Sequence, residues 1–307
     1  MTAVIPAFPT YDDAELVVAA PDAGPGNWAG AASAVLVDGT FWLTYRVRRP
    51  LTDGRGVAVV VARSEDGIHF ETVCEVPRES FGCESFERPA LVPLPSGDWR
   101  LYLSCATPNS KHWWVDSLTA ASPEELPGGR RQPIHGGGLS AGVKDPVIVP
   151  TEQGWEMWLC HHPLSPRGHE DRMSTHRLVS KDGLRWLDLG EVLVGRPGRW
   201  DARGARVTTV LPGEPGEPEG SFTVLYDGRP DAESNWYETT GVARWLGGRL
   251  VADDSEPIRS PHSDGAWRYA SAVRLPDGRT RLYVEAARPD GAHDLVTCVL
   301  GDRIPAA

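Results

Sequence analysis

The sequence has 307 residues, of which 40% are hydrophobic and 24% charged, and its formal net charge is −11. This charge argues against a nucleic-acid backbone or an anionic membrane as a partner, and no apolar run reaches the roughly 18 residues of a membrane-spanning helix. The 33 glycines and 27 prolines favour short strands and turns over long helices.

The N-terminal segment contains neither a basic stretch nor an apolar run, so we expect no secretion signal and a cytoplasmic protein. The five cysteines form no C-x-x-C motif and are expected to be buried, reduced thiols. The first predicted strand, residues 14–20 (AELVVAA), precedes a series of similar segments.

Five segments share one plan, in which an apolar run, a turn rich in Gly, Pro or Asp, and a second run with aromatic residues follow one another. They begin at Ser33, Pro89, Pro146, Arg206 and Ser271, in steps of 56, 57, 60 and 65 residues. The last step is longer because it contains an acidic insert, residues 212–220 (PGEPGEPEG), which we interpret as a hairpin loop. A period of this length with this content is typical of propeller blades.

Further strands follow within the segments. The pattern S-x-D-G-x-x-aromatic at residues 64–70 and 180–186 predicts a turn between two strands in the first and third segments. About four antiparallel strands per segment predict one all-β domain over residues 1–307, a five-bladed β-propeller with blades starting near residues 33, 89, 146, 206 and 271. The last segment supplies three strands, at 272–275, 280–286 and 295–300, so strand 14–20 is expected to complete it and to close the ring. A two-layer sandwich is the alternative fold, but it does not explain the repeat.

Charged and aromatic residues stand at the start of the predicted inner strands. These strands run along the central axis of a propeller, so their first residues are expected to meet at one end of the channel. Each acid also has a basic neighbour, and a simple structural ion pair is the alternative for any single residue. The residues are Asn27 and Trp28 in the first blade, Glu87 and Arg88 in the second, Lys144 and Asp145 in the third, Asp201, Arg203 and Arg206 in the fourth, and Arg268 and Tyr269 in the fifth.

The stretches ERPAL (residues 87–91) and KDPVI (residues 144–148) resemble the inner-strand motifs of the five-bladed glycoside hydrolases. That group includes the arabinanases and xylosidases of family 43, the fructosidases of family 32 and the mannoside phosphorylases of family 130. The resemblance implies carboxylates on the first three blades, acting as base or nucleophile, supporting acid and proton donor. Glu87 and Asp145 match the second and third blades, whereas the first blade has no acid, and Asp201 in the fourth is expected to compensate.

The predicted catalytic residues are Glu87, Asp145 and Asp201, because glycoside cleavage needs one protonated carboxyl and one ionised carboxylate. Lys144 would favour the ionised form of Asp145, and burial by Phe86 would suit Glu87 as the acid. Tryptophan faces suit sugar rings, and arginines suit a phosphate, carboxylate or sulfate group. The residues expected to bind substrate are Asn27, Trp28, Arg46, Arg88, Lys144, His161, Arg203, Arg206, Trp236, Glu238, Arg268 and Tyr269.

The histidines raise the question of a metal. With Glu170 or Asp171 nearby, imidazoles can form a ligand set. Their spacing matches no metal motif, so we predict no metal ligand and no cofactor and interpret them as loop residues, while a structural or central metal ion stays an open alternative. The histidines concerned are His112, His161, His162, His169 and His176.

The leading hypothesis is a glycoside hydrolase-like enzyme acting on a small glycoside in a central acidic pocket. A glycoside phosphorylase or another sugar-modifying enzyme is the alternative favoured by the cations Arg88, Lys144, Arg203 and Arg206 among the acids. A non-catalytic propeller that binds a carbohydrate or metabolite is favoured by the missing first-blade acid. Because the blade starts differ in chemistry, we expect one central site and therefore an enzyme. The expected partner is a small glycoside, anionic if the arginines bind it, while the sugar, the linkage and the oligomeric state stay open.

Overall fold

The structure is a computed structural model that describes residues 11–211, 220–234 and 236–301. These residues form twenty strands and four 3₁₀ helices, Tyr11–Asp13, Leu51–Asp53, Arg78–Phe81 and Pro123–Gly128, so the protein is nearly all β, as predicted. Within the same ranges, no helix has the length and apolar character needed to cross a membrane. The hairpin loop predicted at residues 212–220 lies outside the described residues except for Gly220.

The described strands form five groups of four, which we call units one to five. The first strand in the chain, β1 (Glu15–Val18), belongs to unit five. Unit one contains β2 (Trp28–Val37), β3 (Thr40–Arg48), β4 (Gly56–Ser64) and β5 (Glu71–Pro77). Unit two contains β6 (Ala90–Pro93), β7 (Trp99–Ala106), β8 (Trp113–Ala120) and β9 (Arg130–His135). Unit three contains β10 (Ala141–Thr151), β11 (Gly154–Pro163), β12 (Ser174–Ser180) and β13 (Leu187–Leu193).

Unit four contains β14 (Ala205–Val210), β15 (Thr223–Gly228), β16 (Thr239–Leu246) and β17 (Arg249–Ala252). Unit five contains β18 (Trp267–Arg274), β19 (Thr280–Ala287), β20 (His293–Val299) and, from the other end of the chain, β1. Glu15 of β1 lies opposite Thr297 of β20, so the strand predicted at residues 14–20 is present and lies beside the last strand.

Neighbouring strands within each unit run antiparallel. Units two and three are separate sheets. Units four, five and one join through two parallel residue pairs, Thr239 with Trp267 and Trp28 with His293. The units therefore follow one another in chain order, and the first and last strands, β1 and β20, pair in unit five.

Tyrosine hydroxyls link neighbouring units at the predicted turns. The S-x-D-G turns are present after β4 and β12. Tyr102 of unit two donates a hydrogen bond to the carbonyl of Gly183 in the unit-three turn at 2.8 Å. Tyr283 of unit five donates in the same way to the carbonyl of Gly67 in unit one at 2.9 Å. The same type of hydrogen bond therefore links unit two to unit three and unit five to unit one.

The core lies between neighbouring units. Trp158 of unit three is buried, with its ring centroid 5.5 Å from that of Phe222 and 5.6 Å from that of Trp245 in unit four. All five cysteines are unpaired and four are buried, as expected from their spacing. Polar side chains are buried too, and they gather near bulges in the inner strands.

These bulges change the direction in which side chains on β2, β10 and β18 point. The register of each strand slips at a residue with left-handed backbone, namely Ala31 (φ 55°), Asp145 (φ 57°) and Tyr269 (φ 54°). Such a conformation costs about 1–2 kcal/mol for a residue with a Cβ atom. The sequence placed Lys144 and Asp145 at the start of an inner strand, but β10 begins at Ala141. The bulge explains the difference, because it allows strand pairing on both sides of Asp145.

Candidate active site

Buried acids and bases from all five units form one ion-paired group, which we call the charge cluster. Among the described residues it contains five carboxylates and six cations, and ion pairs link its members. The carboxylates are Glu87, Asp145, Asp227, Glu238 and Glu285, and the cations are Arg46, Arg55, Lys144, Arg206, Arg229 and Arg268.

Arg206 binds three of the carboxylates. Its guanidinium group donates to Asp145 at 3.0 Å, to Asp227 at 2.9 Å and to Glu238 at 2.5 Å. The same group lies 4.0 Å from the ring centroid of Tyr269 and donates to its hydroxyl at 3.0 Å. A buried guanidinium needs such compensation, because an unpaired buried charge costs several kcal/mol.

The Tyr269 hydroxyl stands between the two carboxylates that the blade motifs predicted. Its oxygen lies 3.3 Å from Oε2 of Glu87 and 3.5 Å from Oδ2 of Asp145. The left-handed backbone at both Asp145 and Tyr269 turns these side chains out of the strand register. Two acids from different units therefore share one hydroxyl group.

Arg46 connects this pair to unit five. It binds Glu87, and its other nitrogen donates to Glu285 at 3.1 Å. A Cβ atom at Gly30 would overlap the Glu285 carboxylate, so glycine is needed there. The corresponding bulge residue of unit one is Ala31, which has no charge. Glu285 therefore provides the carboxylate beside unit one, where the sequence has no acid.

Two carboxyl groups on Arg206 have opposite pKa shifts. Burial raises the pKa of Asp227 to about 6, and the negative charge of Glu238 adds to this effect. Burial also opposes ionisation of Asp145, but Lys144, whose Nζ is 3.6 Å away, and Arg206 outweigh it and lower the pKa of that carboxyl. A protonated Asp227 and an ionised Asp145 can therefore coexist in the cluster at or below about pH 6.

Two further arginines add positive charge beside the cluster. Arg88 donates to the carbonyls of Ala32 and Ala270, and its Nη1 has no partner among the described residues. Arg48 lies between the rings of Trp28 and Trp236, 3.8 and 4.3 Å from their centroids. Cations therefore outnumber carboxylates in and beside the cluster among the described residues.

The accessible side of the cluster lies at Trp113. Arg55 and Lys144 each lie 5.1 Å from its ring centroid, and their side chains are 29% and 14% exposed. Glu87 is 7% exposed, whereas Asp145 is fully buried behind Lys144. A ligand approaching from this side would meet Glu87 before Asp145.

The structure brings most of the predicted residues to the cluster or against it. Asn27 is not part of the cluster, although it precedes Trp28 in the sequence. Its side-chain amide donates to the carbonyl of Ala23 at 2.9 Å and stabilises the loop before β2. The predicted members of the cluster are Glu87, Asp145, Arg46, Lys144, Arg206, Glu238 and Arg268, with Tyr269, Arg88 and Trp28 packed against them. Trp236 contacts Trp28 and Arg48 beside the cluster.

Besides Asn27, three predicted residues lie outside the charge cluster. Asp201 pairs with Arg196 at 2.8 Å and accepts a hydrogen bond from Tyr226 at 2.7 Å, because both partners belong to the same corner of unit four. Arg203 forms a two-bonded pair with Asp171 instead of reaching Asp145. The expectation that Asp201 replaces the missing first-blade acid is corrected, since Glu285 lies at that place.

His161 is the third. Its ring stacks on His176 with centroids 3.6 Å apart and lies 6.0 Å from His135. Among the described residues, one set of side chains offers grouped metal ligands, and it consists of His161, His176 and Asp188. The carboxylate of this set is therefore neither Glu170 nor Asp171, the acids that the sequence offered.

Sequence reasoning missed Glu285 and assigned no catalytic role to Asp227. Both are single acids in otherwise apolar second strands, LYVEAA in β19 and VLYDG in β15. β3 likewise carries buried charges, Arg46 and Arg48. A charge within the apolar stretch of a second strand is the signal that would have found them.

Solved structures of similar fold are glycoside-active proteins. A glycosyl hydrolase from Bacteroides ovatus has a TM-score of 0.66 at 14% identity, covering 98% of this chain and 97% of that one. A protein of family 130, the mannoside phosphorylase family that contains hydrolases of β-1,2-mannosidic linkages in Candida mannan, has a TM-score of 0.64 at 15% identity, covering 98% and 99%. An exo-1,5-α-L-arabinanase from a bovine ruminal metagenomic library has a TM-score of 0.60 at 14% identity, covering 90% and 93%.

By sequence, no protein-family description and no curated protein matches the chain. The resemblance to glycoside hydrolases of families 43 and 130 that the motifs indicated is confirmed at the level of fold. At these identities the likeness establishes the fold and leaves the reaction to be argued from the site itself.

Proposed function

We propose that the protein is a glycoside-active enzyme whose active site is the charge cluster of a five-bladed β-propeller. Units one to five are its blades, and β1 closes the ring by completing unit five. The pairing of β1 with β20 and the tyrosine links between units support this architecture.

The observation that carries the proposed activity is the Tyr269 hydroxyl between Glu87 and Asp145. Glycoside cleavage uses two carboxyl groups, one to protonate the leaving oxygen and one to act as a carboxylate on water or on the anomeric carbon. Asp145 is assigned the carboxylate role, because Lys144 and Arg206 favour its ionised form. Glu87 is assigned the acid role, because it is the first of the two that a ligand meets. Its ion pairs with Arg46 and Arg55 favour the ionised form, so its protonation requires that a bound ligand weaken these pairs.

The surplus of cations indicates the class of substrate. Arg55 belongs to the cluster, and Arg88 and Arg48 lie beside it. Together with the other cations of the cluster they outnumber its carboxylates. A guanidinium group binds phosphate, sulfate or carboxylate through paired hydrogen bonds. The proposed substrate is therefore a small glycoside that carries an anionic group.

The same surplus favours a second candidate, a glycoside phosphorylase with inorganic phosphate as co-substrate. The two reactions differ in one measurement. Product formation that requires phosphate indicates phosphorolysis, and turnover that is indifferent to phosphate indicates hydrolysis.

The test of the activity is a panel of chromogenic pyranosides and furanosides, neutral, phosphorylated and carboxylated. We expect Glu87→Gln and Asp145→Asn each to lower turnover at least about 100-fold, the usual size of a lost acid or base. Asp201→Asn is the matched control, since Asp201 is equally buried but lies outside the cluster, and it should stay within about threefold of the unmodified protein.

Circular dichroism shows whether each variant is folded. Equal turnover in all three variants would remove Glu87 and Asp145 from the reaction. Sugar binding by calorimetry without turnover on any substrate would support the non-catalytic alternative instead.

A further inference from the structure

Three side chains on adjacent strands of unit three face one another away from the charge cluster. They are His161 on β11, His176 on β12 and Asp188 on β13, and one ligand atom from each lies within 4.8 Å of the other two. The strands pair consecutively, with His161 opposite Ser174 and Asp188 opposite Leu178, so the three side chains form a diagonal row across β11, β12 and β13. We call this set the histidine site.

One imidazole of this site has a ring nitrogen without a hydrogen-bond partner among the described residues. His176 is satisfied by Asp188, whose Oδ2 lies 3.0 Å from Nδ1. His161 lies flat against the ring of His176, at an interplanar angle of 3°, and its buried Nε2 has no partner among the described residues. A buried ring nitrogen without a partner calls for a ligand.

We propose that His161, His176 and Asp188 bind a divalent transition-metal ion of the zinc class. Two imidazoles and one carboxylate are typical zinc donors, whereas calcium and magnesium prefer sites made of oxygen alone. Zinc bonds of about 2.0–2.1 Å require donor atoms about 3.3 Å apart, with the ion in the plane of each ring. The two imidazoles are stacked in parallel, so binding one ion requires the rings to rotate out of this stack about their side-chain bonds.

Three protein ligands leave one position of a tetrahedral zinc ion open. His161 and His176 line a groove of about 680 Å³ together with His135, Arg172 and Arg203, which gives a ligand access to the two imidazoles. A water molecule or a small anion is the expected fourth ligand. The histidine site shares no residue with the charge cluster, so this proposal holds or fails independently of the proposed function.

The test is titration of the untagged full-length protein with ZnCl₂ by calorimetry, and with CoCl₂ by visible absorption. We expect one ion per chain and the absorption bands of four-coordinate Co²⁺. His161→Ala and His176→Ala should each weaken binding at least about tenfold. His69→Ala is the matched control, because His69 also pairs with an aspartate, Asp66, at 2.7 Å, and this variant should bind zinc like the unmodified protein.

Failure of the unmodified protein to bind one equivalent overturns the proposal. So does equal affinity in all variants, which indicates adventitious surface binding only, or displacement of Co²⁺ by excess Ca²⁺. If an alanine variant is unfolded by circular dichroism, His161→Gln and His176→Gln replace it. Zinc should then raise the Tm of the unmodified protein and of His69→Ala but not of the glutamine variants.

Discussion

Asp145 and Asp201 are aspartates near the starts of units three and four, and both are fully buried. Their partners differ in origin. Asp145 is bound by the backbone N–H of Arg88, by Lys144 and by Arg206, which belong to units two, three and four. Asp201 is bound by Arg196 and Tyr226, which both lie in one corner of unit four.

Burial alone therefore does not distinguish the aspartate of the proposed active site from the aspartate of a local ion pair. Both carboxylates satisfy the rule that a buried charge must be paired. Only Asp145 lies in a strained bulge, and only Asp145 is held by groups that converge from several parts of the chain. Convergence of this kind aims several side chains at one place, which a local ion pair does not do.

The largest expected effect compares the main cation of each region. Arg206→Met leaves Asp145, Asp227 and Glu238 without their shared partner, and we expect the free energy of unfolding to fall by about 3–5 kcal/mol. Arg196→Met should cost less, about 1–2 kcal/mol, because the hydroxyl of Tyr226 still donates to Asp201. Urea unfolding of both variants and the unmodified protein measures the two losses.

Arg196 is 24% exposed, and solvent weakens its pairing further, so the difference between the two variants should be clear. Equal losses in Arg206→Met and Arg196→Met would show that the charge cluster is no more than a larger version of the local pair. In that case, convergence would carry no meaning for stability.

The second effect is a pH dependence that belongs to the charge cluster. The pKa of Asp227 is raised from 3.8 to about 6, chiefly by burial, so the folded protein holds this proton more tightly than the unfolded chain. Its contribution to stability is fully present below about pH 3.8 and is lost as pH rises through about 6. Asp145, whose pKa is lowered, has the opposite sign and loses its contribution as pH falls.

We therefore expect Asp227→Asn to remove a decline in stability between about pH 4 and pH 6. Urea midpoints at half-unit steps of pH measure this slope for the variant and for the unmodified protein. Asp201→Asn is again the control, and it should keep the decline. An unchanged slope in Asp227→Asn would assign the pH dependence to another group.

The smallest expected effect is at Lys144, the most exposed partner of Asp145. Lys144→Met removes one of the cations that lower the pKa of Asp145, so this pKa should rise. Stability should fall by about 1 kcal/mol, less than for Arg206→Met, because Arg206 and the backbone N–H of Arg88 still bind Asp145 and Met fills the space beside Trp113. Urea unfolding measures the cost, and isotope-edited NMR of the Asp145 carboxyl measures the pKa. A loss of stability as large as that of Arg206→Met would contradict the prediction that Arg206 contributes more to stability than Lys144.

Parts of the site were predictable from the sequence because they lie in local patterns. Glu87 and Asp145 precede similar apolar runs, and the repeat places those runs in equivalent positions. Glu285 has no such pattern around it. It is the only acid in β19, and its partner Arg46 is 239 residues away in the sequence, so no local spacing connects them.

The sequence by itself determined the strands, the turns and the repeat, since these depend on the alternation of side chains and on Ser, Asp and Gly at fixed turn positions. It also determined that charges would stand near the inner strands. Only the tertiary structure decided which charges meet. Arg206 faces Asp145 while Asp201 faces Arg196, because backbone bulges and the packing of whole units set the direction of each side chain, and contacts between distant segments form only when the chain folds.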